Sequence, residues 1–330
     1  MTGKLRITLI MLSAFLCAST ASAQRPANGS FPDHFRTGTE LFDAGSYRAA
    51  QAELAKALES LDSDRMEDAA LAEYMLAMCA AKLGEPGAKD LLTAYISKYP
   101  GSGHINEIRF AMANQYFDTG DYANALEEYE PMVHYLSTFS QAERNEYYFK
   151  YAYSTFMLRD RLGADAVRNA YHDFTQVREG EYYVHARYYI AYIDYSDGNL
   201  TAAKRGFSEL QHIGGSGSRN PYADLIPFYL LQIEFSEGNY DYVIANGEQL
   251  MRSSTGYRAT EIARILAESW FYTDDYSRTL QYTYTYCHSR GDTGRSEHYL
   301  VGYSPYVRHD IGPAMPPHEK SPVPDDSPTQ

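Results

Sequence analysis

The chain of 330 residues predicts an all-α fold, a solenoid of helix–turn–helix units, on three observations. Turn glycines recur at 45, 84, 120, 198 and 238, spaced 39, 36, 78 and 40 apart, so one gap holds two units. Apolar residues flank each turn at helical spacing, as Ala50, Leu54 and Ala57 do at i, i+4 and i+7. Each turn also has a short polar residue after it and often a tyrosine next: Gly45-Ser46-Tyr47, Gly120-Asp121-Tyr122, Gly198-Asn199-Leu200, Gly238-Asn239-Tyr240, with Asp274-Asp275-Tyr276 in the same place. A period of 36 to 40 with two helices per unit is that of an array in which each hairpin buries its apolar face against its neighbours.

Taken in order, the chain opens on an export signal over residues 1–23. Lys4 and Arg6 are its positive end, Ile7 to Cys17 its apolar stretch, and Ala21-Ser22-Ala23 its small-residue cleavage site, with the cut expected after Ala23. Phe15 and Leu16 are too bulky before Cys17 for a lipidation signal. A linker is expected over 24–34, where Pro26, Asn28, Gly29 and Pro32 act as breakers, and seven repeats plus one helix of an eighth over 35–311.

The first repeat has Gly38 as the small residue of its first helix. The second turns at Gly84-Glu85-Pro86-Gly87, resumes near Ala88 and stops at Tyr99-Pro100, since proline lacks the N–H a continuing helix needs. The third spans Arg109 to Met132, with Tyr122 over its turn and Glu127 and Glu128 facing water. In the fourth, Phe149 to Leu158 reads as helix and Arg159 to Gly163 replaces the usual turn before Ala166, Ala170 and Phe174. The fifth is marked by Ala191, Ala203, Phe207 and Leu210, the sixth by Leu231, Val243 and Leu250, and the seventh by Ala267, Trp270 and Tyr286. Residues 214–221 are a loop, lacking the Gly-Lys-Ser/Thr ending of a phosphate loop. The eighth helix begins near Glu297, with Tyr299, Gly302 and Tyr303 and a kink at Pro305, and the tail 312–330 is too rich in proline and polar residues to pack. Without a second helix behind them, Tyr299, Leu300 and Tyr303 form an uncapped apolar edge that invites self-association.

These residues resemble the tetratricopeptide repeat family over about Phe35 to Asp310. Ala113, Tyr116, Gly120-Asp121-Tyr122, Ala125 and Tyr129 carry the likeness best, and Lys98-Tyr99-Pro100 is similar to a junction in envelope members of the outer-membrane assembly and Tol-associated kind. The family's Trp is absent from the first helices, the fourth unit is stretched, and Gly247 stands where a large residue is expected. The resemblance implies a right-handed solenoid whose first helices line a concave face. On it would lie Phe110, Asn114 and Phe117, then Phe149, Tyr153 and Phe156, Tyr188, Tyr192 and Tyr195, and Phe228 and Phe235. Rings at such spacing either line a groove for a peptide or amphipathic helix or pack between repeats, and both readings stand at this point. Of the residues that clamp a terminal carboxylate in some members, only Asn114 fits.

Composition narrows the function. Removing the signal takes away two basic and no acidic residues, so the formal charge goes from −14 to −16, which argues against nucleic acid and an anionic membrane surface. No later apolar run is long enough for a transmembrane helix. Cys79 and Cys287 are expected as buried free thiols in distant repeats. Ten scattered histidines with no His-Glu-x-x-His or Cys-x-x-Cys give no expectation of a metal or cofactor, and no nucleophile elbow points to catalysis. The expectation is a non-enzymatic scaffold for protein or peptide partners, periplasmic or secreted, with an envelope glycan-binding module as the alternative.

Overall fold

In the computed structural model, residues 30–61, 65–213 and 220–289 are described. The export signal, the loop at 214–219, the eighth helix and the tail lie outside them, and so does the apolar edge expected at Tyr299, Leu300 and Tyr303. The described residues are helical, without strands, and divide into two compact units between Ser137 and Thr138. No helix among them is long and apolar enough to cross a membrane.

The first unit holds three hairpins: α1 (Phe31–Asp43) with α2 (Tyr47–Glu59), α3 (Met66–Lys82) with α4 (Ala88–Lys98), and α5 (Ile105–Asp118) with α6 (Tyr122–Tyr129). The second holds four: α7 (Gln141–Met157), through a one-turn α8 (Arg159–Leu162), with α9 (Ala164–Phe174); α10 (Tyr183–Ser196) with α11 (Leu200–His212); α12 (Ile226–Ser236) with α13 (Tyr240–Ser253); and α14 (Gly256–Tyr272) with α15 (Tyr276–Ser289). Each unit is thus a stack of helix–turn–helix repeats, the α-solenoid arrangement.

One turn closes six of the seven hairpins. In these six the second residue after the first helix has positive φ, from 63° at Asp274 to 79° at Gly238, and its N–H and that of the next residue donate back to carbonyls three and five residues earlier. At the fifth repeat these are Gly198 N–H to Tyr195 and Asn199 N–H to Asp194, the paired bonds that satisfy a helix's last carbonyls. In the seventh repeat Asp274 takes the glycine's place at φ 63°, a conformation a short polar side chain tolerates at a cost.

Small residues set how closely helices approach. A Cβ on Gly38 would lie 2.7 Å from Leu54 Cγ, and one on Gly206 of α11 would lie 2.9 Å from Ala191 Cβ of α10. Gly247 of α13 is accounted for similarly: Leu266 of α14 fills the space that a large side chain would take, 2.9 Å from a Cβ built there.

Several boundaries differ from expectation. The linker ends earlier, because Ser30 and Pro32 open α1 and Phe31 is buried; proline in a first helical turn lacks only an N–H that has no intrahelical acceptor. Glu128 does not face water but accepts from Arg109 at 2.9 Å, while Glu127 is exposed. After α6, Pro131 lies in a 3-10 segment, Glu130–Thr138. The fourth repeat starts eight residues before Phe149, where Ser140 and Glu143 cap α7 reciprocally. Cys79 and Cys287 are buried and free, and burial pushes the Cys79 thiol up to about 11.

Two stability measurements follow. Gly206→Ala gains helix propensity but meets Ala191 Cβ, which cannot swing aside, and is expected to cost on the order of 1 kcal/mol net in urea unfolding. In an Ala191→Gly background the same change should become neutral or stabilising; an equal cost in both backgrounds would show that this contact does not limit the spacing. Second, half-buried Asp173 has its carboxyl pushed up to about 6 by desolvation, against a smaller opposing effect of His172. Its stabilising contribution is full only below the ordinary carboxylate range and is lost as pH rises through about 6. Asp173→Asn should therefore raise stability by on the order of 1–2 kcal/mol at pH 7.5 and leave it unchanged at pH ~3; a gain independent of pH would contradict this origin.

Candidate interaction face

In the second unit the first helices α7, α10, α12 and α14 are tied to one another by side chains. Phe156 of α7 meets Tyr192 of α10 edge-on at 6.2 Å, and Tyr192 meets Tyr229 of α12 at 5.8 Å. The Tyr195 hydroxyl donates to Gln232 Oε1 at 2.9 Å, and the Arg264 guanidinium of α14 lies over the Phe235 ring at 5.5 Å. Aromatic contacts therefore run along this row, with a hydroxyl–amide bond between α10 and α12 and a guanidinium over a ring between α12 and α14.

Burial divides the eleven candidate residues. Phe110, Phe149, Tyr153, Phe156, Tyr188 and Phe228 are all below 10% exposed, covered by neighbouring side chains. Phe110 packs edge-on against Tyr129 within its own hairpin. Phe149 lies among Phe174 of its own repeat and Tyr182, His185 and Tyr189 of the next. Tyr153 meets Tyr189 at 5.2 Å, and Tyr188 stacks on Tyr222 at 3.7 Å with the rings nearly parallel. Phe228 belongs to a cluster with Leu231, Val243 and Ile262. The reason is geometric: a hairpin cannot bury its faces alone, so large rings at these positions are consumed in joining it to its neighbour.

Asn114, Phe117, Tyr192, Tyr195 and Phe235 are half-buried. In the first unit, Asn114 Oδ1 accepts from the Tyr129 hydroxyl at 2.5 Å, and Phe117 packs on Tyr122 across the turn. These two serve their hairpin first. Tyr192, Tyr195 and Phe235, on α10 and α12, keep part of their surface in the row described above.

Sequence reasoning missed the rings that wedge repeats together, Tyr189 and Tyr229. Tyr189 stacks on Phe174 at 5.3 Å and Tyr229 on Phe207 at 5.0 Å, each the fully buried aromatic of the preceding second helix. A signal was there: each stands nine residues before its turn glycine, Gly198 or Gly238. Burial holds the Tyr195 and Tyr188 hydroxyls above their ordinary range and pushes that of Tyr229 up to about 12, so all three are neutral groups at physiological pH.

A charged cluster on α14 was also missed. Arg264 Nε donates to both carboxylate oxygens of Glu261 at 3.0 and 3.1 Å, and its Nη1 donates to Glu268. The three side chains are 27%, 15% and 14% exposed, in the order Arg264, Glu261, Glu268. Burial holds the Glu268 carboxyl above its ordinary range, outweighing the guanidinium. With both carboxylates ionised the cluster carries a net negative charge beside the Phe235 ring. Among the described residues no three His, Cys, Asp or Glu side chains come together as metal ligands would.

No family model matches the chain, and no curated protein matches it in sequence. Among solved structures, the C-terminal part of a TPR repeat-containing protein from Cytophaga hutchinsonii is 14% identical, with 82% of this chain and 100% of that one covered and a TM-score of 0.50. A tetratricopeptide repeat protein from Parabacteroides merdae is 15% identical, with coverages of 82% and 96% and a TM-score of 0.41. The apo quorum sensor NprR from B. thuringiensis is 11% identical, with coverages of 79% and 76% and a TM-score of 0.42.

Removing the guanidinium should expose the dependence of α14 on its charge cluster. Arg264→Ala is expected to cost about 1–3 kcal/mol, discounted for partial exposure, because it leaves two carboxylates close together with less water than they need. Adding Glu261→Gln and Glu268→Gln should recover most of the loss in urea midpoint; no recovery would show that Arg264 acts through packing on Phe235 instead. At this level of identity the first solved-structure likeness carries the fold alone, and the fold it shows is that of the tetratricopeptide repeat proteins.

Proposed function

We propose that the protein is a non-enzymatic scaffold of the bacterial envelope that holds a protein or peptide partner on the first-helix row of its second unit. The observation that carries this reading is the continuity of that row. Tyr192, Tyr195, Gln232, Phe235 and the Arg264 cluster follow one another across three repeats and are half-buried, fixed by their neighbours yet partly open to solvent. Side chains already held in place lose little entropy on binding, and tyrosine presents a large apolar area with a neutral hydroxyl. The net negative charge of the α14 cluster favours a segment that combines apolar residues with a lysine or arginine. The likeness to tetratricopeptide repeat structures agrees with such use, since first helices in that family line the binding surface.

Envelope location rests on the charged, apolar and small-residue order of residues 1–23. The glycan-binding alternative requires ring faces open to a sugar. Within the ring clusters that join α10 to α12, Tyr188 and Tyr222 cover each other at 3.7 Å and Phe207 and Tyr229 at 5.0 Å, so these rings offer no open face and the protein-binding reading is preferred.

Photocrosslinking in living cells tests both parts. A benzophenone amino acid at Tyr257, which is 55% exposed and close enough to the Tyr195 and Tyr229 hydroxyls to affect them, should yield protein adducts. The same group at Tyr242 on second helix α13, 43% exposed, should not. Adducts from Tyr242 alone, or glycan-array binding without protein adducts, would remove the assignment. N-terminal sequencing of the fractionated protein should begin at Gln24; an intact N-terminus in the cytoplasmic fraction would defeat the envelope location.

A further inference from the structure

Three polar groups on the first-helix row of the second unit are left without a match. The Tyr195 hydroxyl holds Gln232 Oε1 at 2.9 Å, and the Gln232 Nε2 group has no acceptor among the described residues. The half-buried Tyr192 hydroxyl has no hydrogen-bond partner among them either. Glu268 gives one oxygen, Oε1, to Arg264, while its Oε2 accepts from no described residue. One turn later on α14 stands Tyr272, 39% exposed and stacked on Tyr240 of α13 at 4.5 Å. Burial, then Tyr272 and Glu268, hold the Tyr240 hydroxyl above its ordinary range, so the carboxylate lies beside this ring pair. A spare carboxylate oxygen next to aromatic rings suits an ammonium or a guanidinium. Arg258, at the other end of α14, donates to the Asp224 carbonyl at 3.1 Å and does not fill this place.

The main chain of a helix laid on this row would leave Gln232 and Tyr192 unmatched, because its own N–H and C=O groups are spent internally. An extended segment presents both along its length. Packed helices stand roughly 8–10 Å apart, so the α10 and α14 ends of the row are separated by roughly 16–20 Å, the reach of about five or six extended residues. Resting on the protein-binding reading above, we propose that the row takes an extended segment with an apolar anchor at Tyr192 and a lysine or arginine about five or six residues away at Glu268. Gln232, between the two ends, donates from Nε2 to a main-chain carbonyl of that segment. A segment with the wrong separation engages one end and forfeits the other.

Fluorescence anisotropy with synthetic peptides and the full-length protein tests this. Each probe carries two adjacent leucines and one arginine in a Gly-Ser background, with the separation between them varied. Affinity should peak at about five or six residues and fall about tenfold away from that separation. Glu268→Gln should weaken the best peptide about tenfold and leave its norleucine-for-arginine version unchanged, whereas Gln232→Met should weaken both, with urea midpoints confirming that each variant folds. Equal affinity at every separation, or equal or tighter binding of a version locked as a helix by α-aminoisobutyrate, would overturn the proposal. So would peptides that fail to bind while Tyr257 still yields protein adducts, a result that leaves the interaction face in place. Loss of both adducts and peptide binding would remove the face and the proposal together.

Discussion

Closure of six of the seven described hairpins by a single residue in the left-handed region is the constraint on which the other features rest. The two hydrogen bonds it permits use carbonyls that a helix end would otherwise leave open, and they fix where the second helix starts. Because the turn is the same in six repeats, the residues four and seven places on meet equivalent neighbours each time. The small residues gain meaning from that regularity: Gly206 lies opposite Ala191 because the Gly198 turn sets the register between α10 and α11. The fourth repeat, where α8 intervenes and Gly163 takes φ 89° with an extended ψ, departs from this plan, and there the sequence pattern is hardest to read.

Aromatic packing joins the hairpins so closed. Tyr189 lies against Phe149, Tyr153, Phe156 and Phe174, so one ring serves two repeats. Tyr229 does the same for Tyr188, Tyr192, Tyr195 and Phe207 forty residues later. Offset and edge-on ring pairs of this kind add to the area they bury. Tyrosine suits such a place: a ring with a hydroxyl end can cross a repeat interface and finish at its wet margin, as Tyr195 does on Gln232.

In the proposed function, structure and binding would draw on the same residue type. Rings that are fully covered hold the array together, and those at the edge of the same clusters are the ones left with surface to share. The Arg264 cluster adds charge to an otherwise neutral row, and its carboxylates hold the guanidinium so that it covers Phe235 without being free itself. A partner would meet a face already ordered by the contacts between repeats.

By itself the sequence determined the all-α class and the glycine-marked turns, because period, turn glycines and proline stops act locally: α4 begins at Ala88 and ends at Lys98 before Pro100. It also marked the fully buried Ala50, Leu54 and Ala57. Only the tertiary structure decided which aromatic residues are interior. Tyr188 and Tyr192 lie four apart on one helix and are alike in spacing, yet Tyr222 from the next repeat covers the first and leaves the second half-open. The start of the fourth repeat and the α14 charge cluster were likewise undecided, since a capping box and an Arg between two Glu residues take their significance from what packs beside them. Local signals fix helices, but exposure depends on neighbours some forty residues away.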